Sequence, residues 1–370
     1  MNALGLIFSN IHDDSLPELT GVRTVASIPF CGRYRLIDFP LSNMVNSGVT
    51  RVGVITKRNY RSLMDHVGSG KEWDLARKNG GLILLPPFGE KDSNALYGTR
   101  LEALKTVLGF IMRQSEEYVV MCDANSAYVQ DFNEILTEHV KNNADITMMF
   151  VRGKEKDLRD NSVAFKINEE NRITDIMVEP KVRGDVLIYA DVLVLKRTTL
   201  ISLVSDAISR GKRHFINDLL IGNLKRIKIY GFEHKGYFED ISSLNKYYKI
   251  HMDLLNPDVR NSLFGGEMQV YTKIKDSAPT KYGDNAIVKN SLISDGCQID
   301  GEVYNSVLFR GVKVSRGAVL RNCIVMQDSI IGEGANLTSV ICDKRAVFKD
   351  RRELAGCESF PIYVPKDSIV

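Results

Sequence analysis

An aspartate that directly follows a buried strand is the first candidate for chemistry in this sequence. Asp123 comes after the apolar run Tyr118–Cys122, YVVMC, which is typical of a fully buried strand. In open α/β sheets, ligands bind outside the carboxyl ends of the strands. We therefore expect the carboxylate of Asp123 to face a ligand site.

The loop after the first strand has residues that do not suit a phosphate group. Phosphate-binding turns use glycine because backbone N–H groups must approach the phosphate oxygens and adopt positive φ angles. The segment Ile7–Thr20, IFSNIHDDSLPELT, contains no glycine. Ile11 is β-branched, which disfavours left-handed backbone geometry, and Asp13 and Asp14 would repel a triphosphate. Taken alone, this segment is interpreted as an ordinary loop between a strand and a helix, without a role in nucleotide binding.

Two kinds of element position these residues, and the first is an α/β sheet. From residue 1 to about residue 255, strand-like runs alternate with helical runs, which is the pattern of an α/β sheet. Val52–Thr56 is a fully apolar strand, and Phe132–Asn142 is an amphipathic helix. We predict one domain over residues 1–255 and a linker over residues 256–285.

The second kind of element is a repeat of six residues. Aliphatic residues recur with this period in three groups: Ile287, Ile293 and Ile299; Leu308, Val314 and Leu320; and Val325, Ile331 and Leu337. Such a hexapeptide period is the signature of a left-handed parallel β-helix, whose core is a stack of aliphatic residues. A series of β-hairpins is the alternative, which the strict spacing disfavours. We predict a β-helix domain over residues 286–370.

Composition narrows the possible partners and the location. The 370 residues carry a formal net charge of +3, and no run of Lys and Arg indicates a nucleic-acid partner. No apolar run approaches the roughly 18 residues of a membrane span. The N-terminus lacks a basic segment and is predicted to be a buried strand instead of a signal peptide. The six cysteines form no CxxC pair, so we expect reduced thiols in a cytoplasmic protein.

A segment rich in glycine, arginine and aromatic residues carries a resemblance to a known family. Ile28–Asn43, IPFCGRYRLIDFPLSN, is similar to PFGGKYRIIDFPLSN of the glucose-1-phosphate adenylyltransferases. Gly68–Leu75 is similar to that family's GxGxxWDL, and Tyr97–Thr99 matches the start of its YxGTADA. The resemblance covers essentially the whole chain. It implies a Rossmann-like nucleotidyltransferase domain of the GT-A-like class, followed by a left-handed parallel β-helix of hexapeptide repeats.

The resemblance also implies a set of site residues. In the family, two aspartates that match Asp123 and Asp240 hold Mg²⁺ between the triphosphate and the sugar phosphate. An alternative role for Asp240 is to cap the predicted helix Ser242–Leu255. The substrate-binding positions that this chain retains are Arg33, Asp38, Gly98, Thr99 and Glu179.

Several positions depart from the family's pattern where the family contacts phosphate. They are Asn10, Ile11 and Asp13 at the loop glycines, Ser15 at the loop arginine, and Val25 and Pro180 at two lysines. Lys181 stands one position after the expected lysine, so its side chain points elsewhere from an extended backbone. The segment Arg100–Glu102 replaces the Ala-Asp-Ala core of the family's base-contacting motif.

These departures favour a regulatory, catalytically degenerate subunit. The active family makes ADP-glucose and pyrophosphate from ATP and glucose 1-phosphate for glycogen synthesis. The resemblance implies a tetramer with a catalytic C-type glucose-1-phosphate adenylyltransferase subunit, Mg²⁺ only if the site is competent, and a sugar-phosphate or nucleotide effector. The alternative, which the survival of Asp123, Asp240 and Glu179 supports, is an autonomous nucleotidyltransferase with a remodelled phosphate loop. An acyltransferase built on hexapeptide repeats is disfavoured, because none of the six histidines lies beyond His251.

Overall fold

Two compact units make up the part of the chain that the structure describes. The structure is a computed structural model, and it describes residues 2–87, 97–159 and 161–370. Both units are built from segments that are separate in the sequence. The first unit contains residues 1–12, 39–238 and 268–271, and the second contains residues 13–38, 239–267 and 272–370.

The first unit is built on a mixed nine-stranded sheet. Seven strands lie in the order Ile173–Val178, Val163–Ile167, Asp185–Lys196, Tyr118–Asp123, Ala3–Phe8, Arg51–Ile55 and Gly81–Leu85. Ile146–Lys154 pairs with Asp185–Lys196 on one side and with Ile229–Glu233 on the other. Ala3–Phe8 runs parallel to both of its neighbours and is buried throughout. Parallel strands that are buried on both faces are expected to be continuously apolar, as this one is.

Short helices connect the strands. In chain order they are Pro17–Thr20, Asp38–Asn46, Arg61–Val67, Arg100–Thr106, Leu108–Met112, Phe132–Lys141, Arg197–Ser209, Leu244–Asp253 and Pro257–Phe264. The helix predicted over residues 132–142 ends one residue earlier, and the Asp131 carboxylate caps it by accepting a hydrogen bond from the Asn133 N–H. No helix in the described part of the chain is both long and apolar enough to cross a membrane.

The second unit contains a parallel β-helix with three faces, each a five-stranded sheet. The first face is Lys281–Tyr282, Gln298–Ile299, Lys313–Val314, Ile330–Ile331 and Val347–Phe348. The second is Ile287–Lys289, Glu302–Tyr304, Val319–Arg321, Asn336–Thr338 and Glu353–Ala355. The third is Leu292–Ile293, Val307–Leu308, Ile324–Val325, Val340–Cys342 and Ile362–Val364. The predicted fold class, a Rossmann-like domain followed by a left-handed β-helix, is confirmed.

The predicted ladder of core residues needs one correction in the first coil. Ile287 is 41% exposed, whereas Val288 packs against the core of the β-helix. Val288 pairs in register with Val303, which pairs with the buried Leu320. Because side chains alternate along a strand, the middle residue of Ile287–Lys289 points inward and the first one points outward.

Candidate active site

Asp123 lies beside the loop after one neighbouring strand and beside an irregular position in the other. It ends its own strand and pairs in parallel register with Phe8. The loop after Phe8 carries His12, whose imidazole Nε2 lies 2.7 Å from Oδ2 of Asp123. A second carboxylate comes from Asp191, in the strand Asp185–Lys196, where the pairing register shifts. The backbone of Asp191 has φ +55°, a left-handed geometry that aspartate tolerates better than most residues.

Two arginines are paired with these two carboxylates. Nη2 of Arg100 lies 2.6 Å from Oδ2 of Asp123 and 3.1 Å from Oδ1 of Asp191. Nη2 of Arg159 lies 2.9 Å from Oδ2 of Asp191. We call the five residues His12, Arg100, Asp123, Arg159 and Asp191 the arginine–aspartate cluster. Its two arginines balance its two aspartates in formal charge.

The side chain of Arg100 is largely buried and is only 10% exposed. Its guanidinium lies 5.5 Å from the ring centre of Phe8 and 5.9 Å from that of Tyr189, distances at which a cation is attracted to an aromatic face. Burial opposes the charge on both Arg100 and Asp123. Their attraction outweighs it, so the pKa of Asp123 falls below its usual range and the pKa of Arg100 rises. Both groups therefore stay charged at neutral pH.

Three residues of the cluster lie close enough together to hold a metal ion, but the chemistry of the cluster does not fit Mg²⁺. One ligand atom each from His12, Asp123 and Asp191 lies within 4.8 Å of the others. The Oδ2 atom of Asp123 and both oxygens of Asp191 already accept charge-assisted hydrogen bonds from Arg100 and Arg159. Oδ1 of Asp123 is the carboxylate oxygen of the cluster that is buried without a hydrogen bond. Mg²⁺ favours several oxygen ligands and water, and two adjacent guanidinium groups repel it.

Asp240 has a different partner from the one that the family resemblance implies. It lies in the second unit at the end of the strand Phe238–Asp240, and its carboxylate forms an ion pair with Lys246. It is not part of the His–Asp group that could converge on a metal in the described residues. It also does not cap the following helix, because the N-cap is Ser243, whose hydroxyl accepts from the Lys246 N–H. The capping role considered for Asp240 is therefore wrong.

The glycine-free loop makes structural contacts where the family would bind phosphate. In the first unit, the Asn10 side chain accepts from the Lys57 N–H at 2.9 Å and donates to the Arg58 carbonyl at 3.2 Å. In the second unit, Oδ1 of Asp13 accepts from the Val25 N–H at 2.8 Å. These side chains stabilise the chain's own backbone. Ile11 packs against the core of the first unit.

The other substrate-binding candidates are divided between the two units. Gly98, Thr99 and Glu179 belong to the first unit, and Arg33 and Asp38 belong to the second. Thr99 caps the helix Arg100–Thr106 in a capping box with Glu102. Oδ2 of Asp38 accepts from the Arg35 N–H at 2.9 Å, and Glu179 is an exposed residue with φ +52°. Of the substrate-binding candidates in the first unit, Thr99 is the direct neighbour of the cluster, because the helix that it caps begins with Arg100.

Sequence reasoning missed three members of the cluster. His12, Arg159 and Asp191 were not candidates, while Arg100 was recognised only as a departure from a base-contacting motif. One signal pointed to Asp191, because it interrupts the otherwise apolar strand sequence DVLIYADVLVLK. An acidic residue inside a buried strand requires a partner, and here the partners are guanidinium groups.

Comparison with known proteins agrees with this fold. Residues 15–257 match the nucleotidyl transferase family, and residues 276–356 match the GlmU-like C-terminal hexapeptide family. The chain therefore belongs to the nucleotidyl transferase family, in the branch of the glucose-1-phosphate adenylyltransferases and the glycogen biosynthesis protein GlgD. It is 34% identical to GlgD of Bacillus subtilis over 98% of this chain and 95% of that protein.

The chain is also similar to one further relative of each kind. It is 35% identical to GlgD of Geobacillus stearothermophilus over 86% of this chain and 82% of that protein. It is 32% identical to the glucose-1-phosphate adenylyltransferase of Thermosipho melanesiensis over 86% of this chain and 78% of that protein. The family predicted from the sequence is confirmed.

Proposed function

We propose that this chain is a regulatory, catalytically degenerate subunit in glycogen biosynthesis. In this role it assembles in the cytoplasm with a catalytic glucose-1-phosphate adenylyltransferase subunit, as part of a tetramer, and alters that subunit's turnover or effector response. The observation that carries the proposal is the pairing of Arg100 with Asp123. Asp123, which matches a metal ligand of the family, is paired with the guanidinium of Arg100 instead of with Mg²⁺.

An incoming substrate with Mg²⁺ would have to break ion pairs that the chain already forms. Removing one partner of a buried ion pair costs about 3–5 kcal/mol, and Arg100 would have to leave the buried carboxylate of Asp123 before a metal ion could bind there. The loop supplies no compensation, because Asn10 and Asp13 are bonded to backbone groups. Each lost contact to a transition state costs about 10²–10³-fold in rate. Several such losses leave negligible turnover.

The test is ADP-glucose formation from ATP, glucose 1-phosphate and Mg²⁺. We would assay this chain alone, a catalytic homologue alone, and the two together. We expect no product from this chain alone and a change in turnover or effector response in the mixture. Turnover by this chain alone that is abolished in Asp123→Ala would contradict the proposal and favour an autonomous enzyme with a remodelled loop.

A further inference from the structure

We propose that a cationic cleft in the first unit binds a small organic phosphate that carries at least two negative charges. The cleft has a volume of about 820 Å³. Its walls come from Asn168 and residues 172–174, from the end of the helix Arg197–Ser209 and the residues just after it, and from residues 221–226. None of its lining residues belongs to the arginine–aspartate cluster.

The charge of the cleft is strongly one-sided. Five cationic residues line it: Arg172, Arg210, Lys212, Lys225 and Arg226. A single acidic residue, Asp206, also lines it. Clefts lined by one sign of charge concentrate the electrostatic field and attract ions of the opposite sign.

The acid in the cleft neutralises only part of this charge. Oδ1 of Asp206 lies 2.6 Å from Nε of Arg210, and Oδ2 lies 3.6 Å from Nζ of Lys212. In the described residues, the side chains of Arg172, Lys225 and Arg226 form no ion pair. These three cations face the same cleft and repel one another unless an anion lies between them.

The size and the lining of the cleft favour an organic phosphate over a bare ion. Clefts of roughly 300–1,000 Å³ commonly bind small organic ligands. Ile173, Ile221 and Leu224 contribute apolar surface to this cleft, which suits a sugar or a base. Arginine binds phosphate through two parallel hydrogen bonds, so two or more phosphate charges match the available cations. A nucleoside diphosphate has both properties.

The experiment is calorimetric titration of the full chain with ADP and, separately, with inorganic pyrophosphate. The test variant is Lys225→Gln combined with Arg226→Gln, since both residues are exposed. The matched control is Lys228→Gln, an exposed lysine nearby that does not line the cleft. Circular dichroism and the thermal midpoint establish that each variant is folded.

We expect ADP to bind the wild type and the control with equal affinity. The double variant should bind at least tenfold more weakly, because each charge-assisted contact to phosphate is worth about tenfold or more. Wild-type affinity should also fall as salt increases. No binding at millimolar ADP, equal affinity in the double variant, or an equal loss in Lys228→Gln would each overturn the proposal. If pyrophosphate binds with the same affinity as ADP, the cleft is a site for inorganic anions, and the proposal of an organic phosphate ligand is overturned. Because binding is measured on this chain alone, the result is independent of the regulatory role.

Discussion

Arg23 and Asp343 form a buried ion pair within the second unit, although 320 positions separate them in the sequence. Nη2 of Arg23 lies 2.8 Å from Oδ1 and 2.9 Å from Oδ2 of Asp343. Their side chains are 2% and 0% exposed. The hydroxyl of Tyr363 also donates to Oδ2 of Asp343 at 3.0 Å. The pair joins the segment after the glycine-free loop to the β-helix.

Removing one member of this pair should destabilise the second unit strongly. We expect Arg23→Met to lower the free energy of unfolding by about 3–5 kcal/mol, because it leaves the Asp343 carboxylate buried without its cation. Urea unfolding measures the change. The matched control is Arg345→Gln, which removes an exposed pair with Asp367 and should cost less than about 1 kcal/mol. Similar effects of the two substitutions would contradict the prediction.

Loss of Arg100 should change the pH dependence of stability. In the wild type, the lowered pKa of Asp123 stabilises the fold above the ordinary aspartate pKa, and this contribution is lost as the pH falls through the pKa of the folded state. Arg100→Met removes the cation that lowers this pKa. The stability gap between the two proteins should therefore be largest near pH 7 and shrink below about pH 4.

Urea unfolding at several pH values measures this gap. Arg152→Gln, which removes an exposed pair with Glu233, is the control and should give a small, nearly constant difference. A gap for Arg100→Met that stays the same from pH 7 to pH 3 would show that Asp123 is not the group involved.

A buried histidine should make the second unit sensitive to mild acid. His251 is fully buried, and its Nε2 accepts from the Cys31 N–H at 3.1 Å. Its Nδ1 donates to the Tyr247 carbonyl at 2.8 Å, so the ring is satisfied in its neutral form. Burial lowers its pKa to about 4. The unfolded chain binds this proton more readily, so stability should decrease by up to about 3 kcal/mol between pH 6.5 and pH 4.

The substitution His251→Gln separates this effect from general acid unfolding. Glutamine does not titrate in this range, so the variant should lose less stability than the wild type between pH 6.5 and pH 4. His214→Gln changes an exposed histidine and serves as the control. An identical pH profile in His251→Gln and in the wild type would remove His251 as the cause.

The inward and outward positions of the β-helix should differ in sensitivity. Leu320 is fully buried, and Leu320→Ala should cost about 2–5 kcal/mol because it leaves a cavity. Ile330 is 38% exposed, so Ile330→Ala should have a much smaller effect. Thermal unfolding of both variants measures the difference, and equal losses would argue against the observed register. In the first coil, Val288→Ala should destabilise more than Ile287→Ala.

The sequence was sufficient to predict the fold because both units have strong periodic signals. The apolar run before Asp123 and the six-residue period each follow from side-chain direction in strands. The six-residue period selects the wrong core residue at Ile287. A strand of three residues is too short to show from its sequence which side chains point inward. The three periodic groups end at Leu337, although the strands of the β-helix continue to Ile362–Val364. Polar residues near its end hide the repeat there.

The site was harder to predict because its members come from distant parts of the chain. His12, Arg159 and Asp191 meet only through strand pairing and loop geometry, which composition does not reveal. Arg100 stood out against a motif, but its partner Asp123 was expected to bind a metal ion. Which charged side chains pair inside a fold depends on distances that the sequence does not give. The pairing of Arg100 with Asp123 is therefore known only from the structure.

The hydrogen bond from the Val25 N–H to Asp13 limits what a single substitution in the loop could achieve. Asp13 occupies a position that is glycine in the catalytic relatives of the resemblance, yet here its carboxylate supports a neighbouring backbone segment. Asp13→Gly would remove this support, while Arg100 would still be paired with Asp123. On the proposed function, a gain of adenylyltransferase activity would therefore require changes in the loop and at Arg100 together, because neither change alone is sufficient.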